Sequence, residues 1–317
     1  MIRFVLRRLL ILAGLVGVAN AFGFVLAAYL SQTAQRDALT AGLPYEGPPV
    51  ALQPIFQSYG DYLAAGLGQG EWGTLASTQQ PITSFMADAW WKSVLLLGVA
   101  MGLAALVGIV VGLSSVDLEW ARAKPGALYL TLAGFSMPGF FVGIVLIAGM
   151  LRLSALRGEP GTMLPIMGFG NVEHLILPVI ALALRPAAEI ARVTSELVAE
   201  ELPKPYIKTA RAKGLPWRLV LLRHAFGNVS SATITTLGNS LRYLISSLLI
   251  IEVMFQWPGI GQALAFVFTT RTLGQWAYQP EIGAALMTAM AAIFLIATLI
   301  ADALAQAADP RLQTQAA

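Results

Sequence analysis

An all-α integral membrane protein is expected from three observations. Hydrophobic residues make up 57% of the 317 residues and charged residues only 12%, about half the roughly one-quarter charge of a soluble domain. The mean hydropathy is +0.70. Apolar runs longer than about 18 residues recur, and they are continuous rather than alternating, which selects helices over a barrel. The chain has no cysteine, so disulfides and thiolate metal sites are removed. A net charge of +3 is too small to imply nucleic acid, and the placement of the charges says more than their sum.

Six helical spans are expected: Leu9 to Leu30, Ser93 to Leu113, Ala127 to Leu151, Leu175 to Ser195, Val229 to Ile251 and Ile282 to Ala301. At about 1.5 Å per residue each crosses roughly 30 Å of hydrocarbon. The fourth is interrupted by Arg185, Pro186, Glu189 and Arg192, a pattern that suits a helix packed inside a bundle rather than one facing lipid. Arg3, Arg7 and Arg8 before an apolar stretch and Ala19-Asn20-Ala21 resemble a secretory signal, but the apolar character continues to Leu30 and a retained span is the preferred reading.

Lysines and arginines set the orientation. With the N-terminus inside, the inner segments hold twelve: Arg3, Arg7, Arg8, Arg122, Lys124, Arg192, Lys204, Lys208, Arg211, Lys213, Arg218 and Arg223. The outer segments hold five: Arg36, Lys92, Arg152, Arg157 and Arg271. Both termini are therefore expected in the cytoplasm. Three regions follow: residues 1–30 form the N-terminus and first helix, 31–92 an extracytoplasmic loop, and 93–317 a five-helix core that contains a basic loop at 196–228.

The outer segment is rich in Gly and Pro between Gly42 and Pro54, then carries Tyr59, Tyr62, Leu63, Leu67, Trp72 and Leu75. It is expected to begin as an irregular loop and to close with short amphipathic helices on the outer face. Residues 152–173 read as a second irregular connection. The two histidines, His174 and His224, lie on opposite expected sides of the membrane, with His174 in a loop, so neither a metal site nor a catalytic arrangement is supported.

The inner segment from Glu196 to Arg223 is the informative one. Pro203 and Pro205 fix an entering turn, residues from Lys208 to Lys213 have good helix propensity, and Gly214 sits where a helix would stop. A short helix from about Tyr206 to Gly214 follows. Its basic side chains could meet anionic lipid headgroups or a soluble partner.

Here the residues carry a resemblance. Tyr206-Ile207-Lys208-Thr209-Ala210-Arg211-Ala212-Lys213-Gly214-Leu215, with Leu221-Leu222-Arg223-His224-Ala225 and Asn228, resembles the signature loop of permeases of binding-protein-dependent ABC importers, in the dipeptide/oligopeptide/nickel branch. Five more segments resemble that family in the same order: residues 3–10, Gly70-Glu71-Trp72-Gly73, Gly134-Phe135-Ser136-Met137-Pro138, residues 251–261 and Asp309-Pro310-Arg311.

The resemblance implies a permease subunit with no cofactor of its own. ATP and Mg would be bound by two ATP-binding subunits, a second homologous permease would complete the pathway, and an extracytoplasmic substrate-binding protein would deliver cargo at the bacterial or archaeal inner membrane. No Gly-x-x-x-x-Gly-Lys-Ser/Thr phosphate loop occurs in this sequence. The short helix would be the coupling helix, with Tyr206, Thr209, Ala210, Ala212, Lys213, Gly214 and Leu215 as contact residues. Ala210 and Ala212 would allow close approach, Tyr206 and Leu215 would anchor the ends, and Lys208, Arg211 and Lys213 would pair with acids. Two departures from the family pattern bear on this loop. Ser231-Ala232 stands in place of a Leu-Pro pair, which predicts a softer bend into the fifth span. Pro203 and Pro205 stand where the family usually continues the fourth helix.

Ionisable residues at membrane depth are candidates for the translocation path. Arg242 either meets an anionic substrate or pairs with an acid on a neighbouring helix, with the pair preferred. Glu252 reads as a packing or subunit-contact residue and Asp302 as an interfacial or helix-contact acid. Arg185, Glu189 and Arg192 share a face and could pair with one another. Ser136, Met137 and Pro138 mark a stretch of the third span that could bend as a gate or simply pack. Peptides are the expected cargo, with nickel chelates and oligosaccharides as alternatives. An ion-coupled secondary transporter is a rival of another class, but it would require internal inverted repeats, which the sequence does not display. An intramembrane enzyme would need paired catalytic residues.

Overall fold

A computed structural model describes residues 2–42, 54–75, 78–158, 161–269 and 279–308. Among the described residues the architecture is all-α apart from one two-stranded hairpin. In chain order the elements are α1 (Ile2–Thr40), α2 (Ile55–Gln69), α3 (Ile82–Ser114), β1 (Val116–Asp117), β2 (Arg122–Ala123), α4 (Pro125–Ser136), α5 (Gly139–Arg157), α6 (Glu173–Glu201), α7 (Pro205–Ala212), α8 (Trp217–Leu219), a π-helical turn (Val220–Ala225), α9 (Phe226–Met254), α10 (Ile260–Thr269) and α11 (Pro280–Ala308). Among the described residues six segments are long and apolar enough to cross a membrane: Ile11–Asp37, Ile82–Ser114, Gly139–Arg157, Glu173–Glu201, Trp217–Met254 and Pro280–Ala307.

The expected third span is divided. Met137 is extended (φ −86°, ψ 119°), ending α4, and Pro138 (φ −63°, ψ 143°) caps the start of α5. Proline disfavours the helical region for the residue before it and has no N–H to donate. Only Gly139–Arg157 therefore qualifies as the span, and the stretch expected to bend is a full break. Two expected loops begin later than the sequence implied. The segment from Ser31 to Thr40 continues α1, since no Gly or Pro intervenes before Gly42. Residues 152–157 continue α5 until Gly158, at φ 68°, terminates it. His174 lies in the first turn of α6 rather than in a loop. Asp309-Pro310-Arg311 and Arg271 fall outside the described residues.

The chain forms two compact units, Met1–Val94 with Gln256–Leu295, and Leu95–Phe255 with Ile296–Ala317. In the first unit Phe24 and Ala28 of α1, Tyr62 of α2 and Ala284 of α11 form a core. The rings of Phe24 and Tyr62 lie 5.2 Å apart, and Trp72 meets Tyr62 edge-on at 5.5 Å. Asn20 Nδ2 donates to Thr288 Oγ1 at 2.9 Å, and Tyr59 Oη donates to Asn20 Oδ1 at 3.1 Å. The Gly70–Gly73 motif thus ends α2 and seats Trp72 against Gly66, where an added Cβ would lie 2.5 Å from the indole. Two motif residues near 256–261 bond the part of α3 that belongs to this unit, up to Val94. Trp257 Nε1 donates to the Lys92 carbonyl at 3.0 Å, and the Ile260 amide donates to Ser93 Oγ at 2.9 Å.

The second unit is organised around α6, which packs on α4, α5 and α9. Pro178 and Pro186 lie inside this helix without ending it, which neighbouring helices make tolerable in a membrane bundle. Small residues bring its neighbours close. A Cβ on Gly108 would lie 2.7 Å from Ile190, and one on Gly139 would lie 3.1 Å from the Ala181 carbonyl. Glu252 of α9 is fully buried within its own chain, which supports packing and leaves no surface for a subunit contact.

In the first unit the contact of α1 with α11 is equally close. A Cβ at Gly23 would lie 2.3 Å from the Gly283 carbonyl, and one at Gly283 would lie 2.6 Å from Ala27. Gly23→Leu is therefore expected to overpack this crossing, at a cost of about 1–3 kcal/mol. Thermal unfolding in detergent should shift several degrees lower, whereas Gly17→Leu, with no heavy atom within 4 Å of an added Cβ, should leave it unchanged.

Candidate functional site

The helix expected between Tyr206 and Gly214 is α7. Lys204 is extended (φ −66°, ψ 147°) and Pro205 takes the first helical position, where its fixed φ suits the helix and its missing N–H costs nothing. Pro205 is thus part of the helix rather than ahead of it. At the other end Gly214 has φ +79°, its amide donates to the Arg211 carbonyl at 2.9 Å, and the Leu215 amide reaches back to the Ala210 carbonyl at 3.3 Å. That pair of bonds is a Schellman cap, which favours glycine because the left-handed region is open to it.

The helix has two faces. Ile207 and Ala210 turn inward into a cluster with Val116, Val198, Leu202, Val220, Ala225 and Val229, and Leu215 packs against it. Ile207 is only 1% exposed and Ala210 only 6%. Ala210, expected on the contact surface, is therefore an internal anchor. Ala210 could not have been distinguished from Ala212 by composition alone, since the two are the same residue type. Lys208, Thr209, Ala212 and Lys213 form the exposed face. Thr209 Oγ1 donates to the Pro205 carbonyl at 3.0 Å.

Tyr206 is an anchor of a different kind from the apolar one expected. Its hydroxyl donates to the Glu201 carboxylate and accepts from Asn228 Nδ2 at 2.8 Å. Lys204 pairs with the same carboxylate. The start of α7 is thereby tied to the end of α6 and the start of α9. Partial burial, then the hydrogen bond to Glu201, raise the Tyr206 phenol above its ordinary value, and the bond to Glu201 raises the Lys204 ammonium. Arg211 is also committed to its own chain. Its guanidinium lies 4.3 Å from the centre of the Trp217 ring and donates to the Leu215 carbonyl at 2.6 Å. Of the three cations expected to meet a partner, Lys208 and Lys213 are the exposed ones without such a commitment among the described residues.

From α7 the chain enters α9 through α8 and the π turn at Val220–Ala225, a feature no residue pattern announced. Ser231 and Ala232 lie inside α9, so the helix carries on through the position where a Leu-Pro pair would bend it.

The membrane-depth candidates resolve individually. Arg242 donates to Asp302 at 2.9 Å and to Asn239 at 2.8 Å, so the preferred helix-to-helix pair forms. Arg185 does not pair with Glu189. Its guanidinium lies between two rings, 4.7 Å from the centre of Phe135 and 4.4 Å from that of Tyr243. Arg192 pairs with Glu196 at 3.5 Å. Ser136 donates to the Leu132 carbonyl at 2.8 Å, and Ser136, Met137 and Pro138 are exposed. Among the described residues, no group of three His, Asp or Glu side chains could hold a metal.

Residues 121–314 match the family model described as binding-protein-dependent transport system inner membrane component. The chain is 28% identical over 323 residues to the glutathione transport system permease protein GsiC of Salmonella typhimurium, covering 99% of each chain. It is 27% identical over 263 residues to the protein of the same name from Escherichia coli, covering 82% of this chain and 80% of that one.

The hydrogen bonds at Tyr206 predict how firmly α7 is held. Tyr206→Phe removes both, one of them to a charged group, and such a bond contributes about 1.5–3 kcal/mol. Amide hydrogen exchange across residues 205–214 is expected to rise about tenfold or more in this variant, with exchange in α9 beyond Thr233 unaffected.

Proposed function

The chain belongs to the family of binding-protein-dependent transport system inner membrane components, and from that premise we propose that it carries peptides across the inner membrane, driven through α7. It is a multi-pass permease subunit of an ABC importer and not an enzyme, since ATP hydrolysis lies in partner subunits of the family. Di- or oligopeptides would be delivered by an extracytoplasmic binding protein to the surface built by residues 31–92. A second homologous permease would complete the pathway, and two ATP-binding subunits would hold ATP and Mg. Both termini would be cytoplasmic, as the excess of inner lysine and arginine favours. Peptide cargo is supported by relatives named for the transport of glutathione, itself a peptide-like molecule.

One observation carries the coupling role. The inner face of α7 is locked into its own bundle through Ile207 and Ala210, while Thr209, Ala212, Lys208 and Lys213 stand exposed. A helix held in this way can pass a push on its outer face to α6 and α9, to which Tyr206 is bonded through Glu201 and Asn228. Two discrete arrangements of those helices would then exchange outward-facing and inward-facing states. Ser136, Met137 and Pro138 at the α4–α5 break supply a joint along the path, and Gly214 and Leu215 serve by capping α7 rather than by docking.

Gentle purification of the tagged chain is expected to bring an ATP-binding subunit with it. Ala212→Trp, which places bulk on the exposed face, is expected to cut ATP-dependent uptake at least about tenfold while the protein stays folded and the assembled ATPase still turns over. Unaltered uptake in that variant, or purification without any ATP-binding subunit, would count against the assigned joint.

A further inference from the structure

Four ionisable residues on α6, at positions 185, 189, 192 and 196, follow helical spacing and share one face, and all four are half-buried. The last two of the series, Arg192 and Glu196, neutralise each other at 3.5 Å. Arg185 and Glu189 do not. Arg185 stacks between Phe135 of α4 and Tyr243 of α9, and the contact of Glu189 is a hydrogen bond from Ser240 Oγ at 3.4 Å. Among the described residues neither has an ion-pair partner within 4 Å. They lie near the middle of the 29-residue helix, roughly 18 Å and 24 Å along from its first residue.

Two opposite charges four residues apart would ordinarily join into an i, i+4 pair. Here the aromatic rings draw the guanidinium aside and leave its N–H edges, like the carboxylate of Glu189, available. An unpaired charge at this depth is retained where it lines a polar path. We propose that Arg185 and Glu189 form a station for a short zwitterionic peptide, with Arg185 taking its terminal carboxylate and Glu189 its terminal ammonium. The dimensions agree. Four residues of helix advance about 6 Å, and an extended dipeptide spans about 7 Å. Guanidinium matches carboxylate through paired N–H donors, while the flanking rings hold it in one orientation. Arg242, by contrast, is consumed by Asp302.

This station rests on the reading of the protein as a peptide importer. The test uses the assembled importer in proteoliposomes and measures uptake of alanyl-alanine, its C-terminal amide and its N-acetyl derivative, each normalised to the amount of ligand-loaded binding protein. Wild type is expected to favour the free dipeptide over each derivative by about tenfold or more, the effect of one charge-assisted contact. Arg185→Gln should abolish discrimination against the amide and keep discrimination against the acetyl form. Glu189→Gln should do the reverse, and Arg185→Lys should restore part of the carboxylate preference. Equal loss of all three uptakes in both variants, or loss of a co-purifying second permease in Arg185→Gln, would overturn the station and leave peptide import standing. If wild type moves none of the three peptides, the importer reading fails with it.

Discussion

A polar helix beside an apolar bundle needs something to hold it, and the burial of Ile207 and Ala210 supplies that hold. These two side chains enter a cluster built from β1, α6, the π turn and α9, so the position of α7 is fixed by the same contacts that pack α6 against α9. Burying a residue such as Ile contributes on the order of 2 kcal/mol. Polar ties at the helix start, from Tyr206 to Glu201 and Asn228, add direction to that non-directional attraction. The result is a short element packed and hydrogen-bonded to both α6 and α9, which is what the proposed coupling role requires.

Helix boundaries elsewhere obey simpler rules. Proline before a helix and glycine after it set both ends of α7, proline splits α4 from α5, and Gly70 and Gly158 terminate α2 and α5 with left-handed backbone. Close helix crossings rest on glycines whose missing side chains are filled by a neighbouring carbonyl or aliphatic group, as at Gly23, Gly108 and Gly139. In lipid, where the hydrophobic effect does not separate one apolar helix from another, such steric fit does most of the sorting.

Much of this was legible in the residues. Continuous apolar runs pointed to six spans, of which the third proved to be split at Met137 and Pro138, and the charge interruptions in the fourth suited the packed position it takes, with a larger buried share than the other candidate spans among the described residues. The preference for pairing Arg242 with an acid was met by Asp302. What escaped was decided by three-dimensional neighbours. Nothing in the spacing of Arg185 and Glu189 announces that Phe135 and Tyr243, remote in sequence, will compete for the guanidinium. Ala210 and Ala212 are alike in size and propensity, and only the turn of the helix against Val198 and Val229 separates anchor from surface. The π turn at Val220–Ala225 and the continuation of α1 to Thr40 likewise depend on backbone choices that composition leaves open.

The chain's lack of cysteine permits a direct test of the two-faced helix. Single cysteines would be placed at Lys208, Thr209 and Ala212 on the outer face and at Ile207 on the inner face of the assembled importer, then crosslinked with a short thiol reagent to cysteines scanned across the ATP-binding subunit. The account predicts crosslinks from the three outer positions and none from Ile207. Crosslinks from Ile207, or none from the outer positions in an importer that still transports, would contradict it.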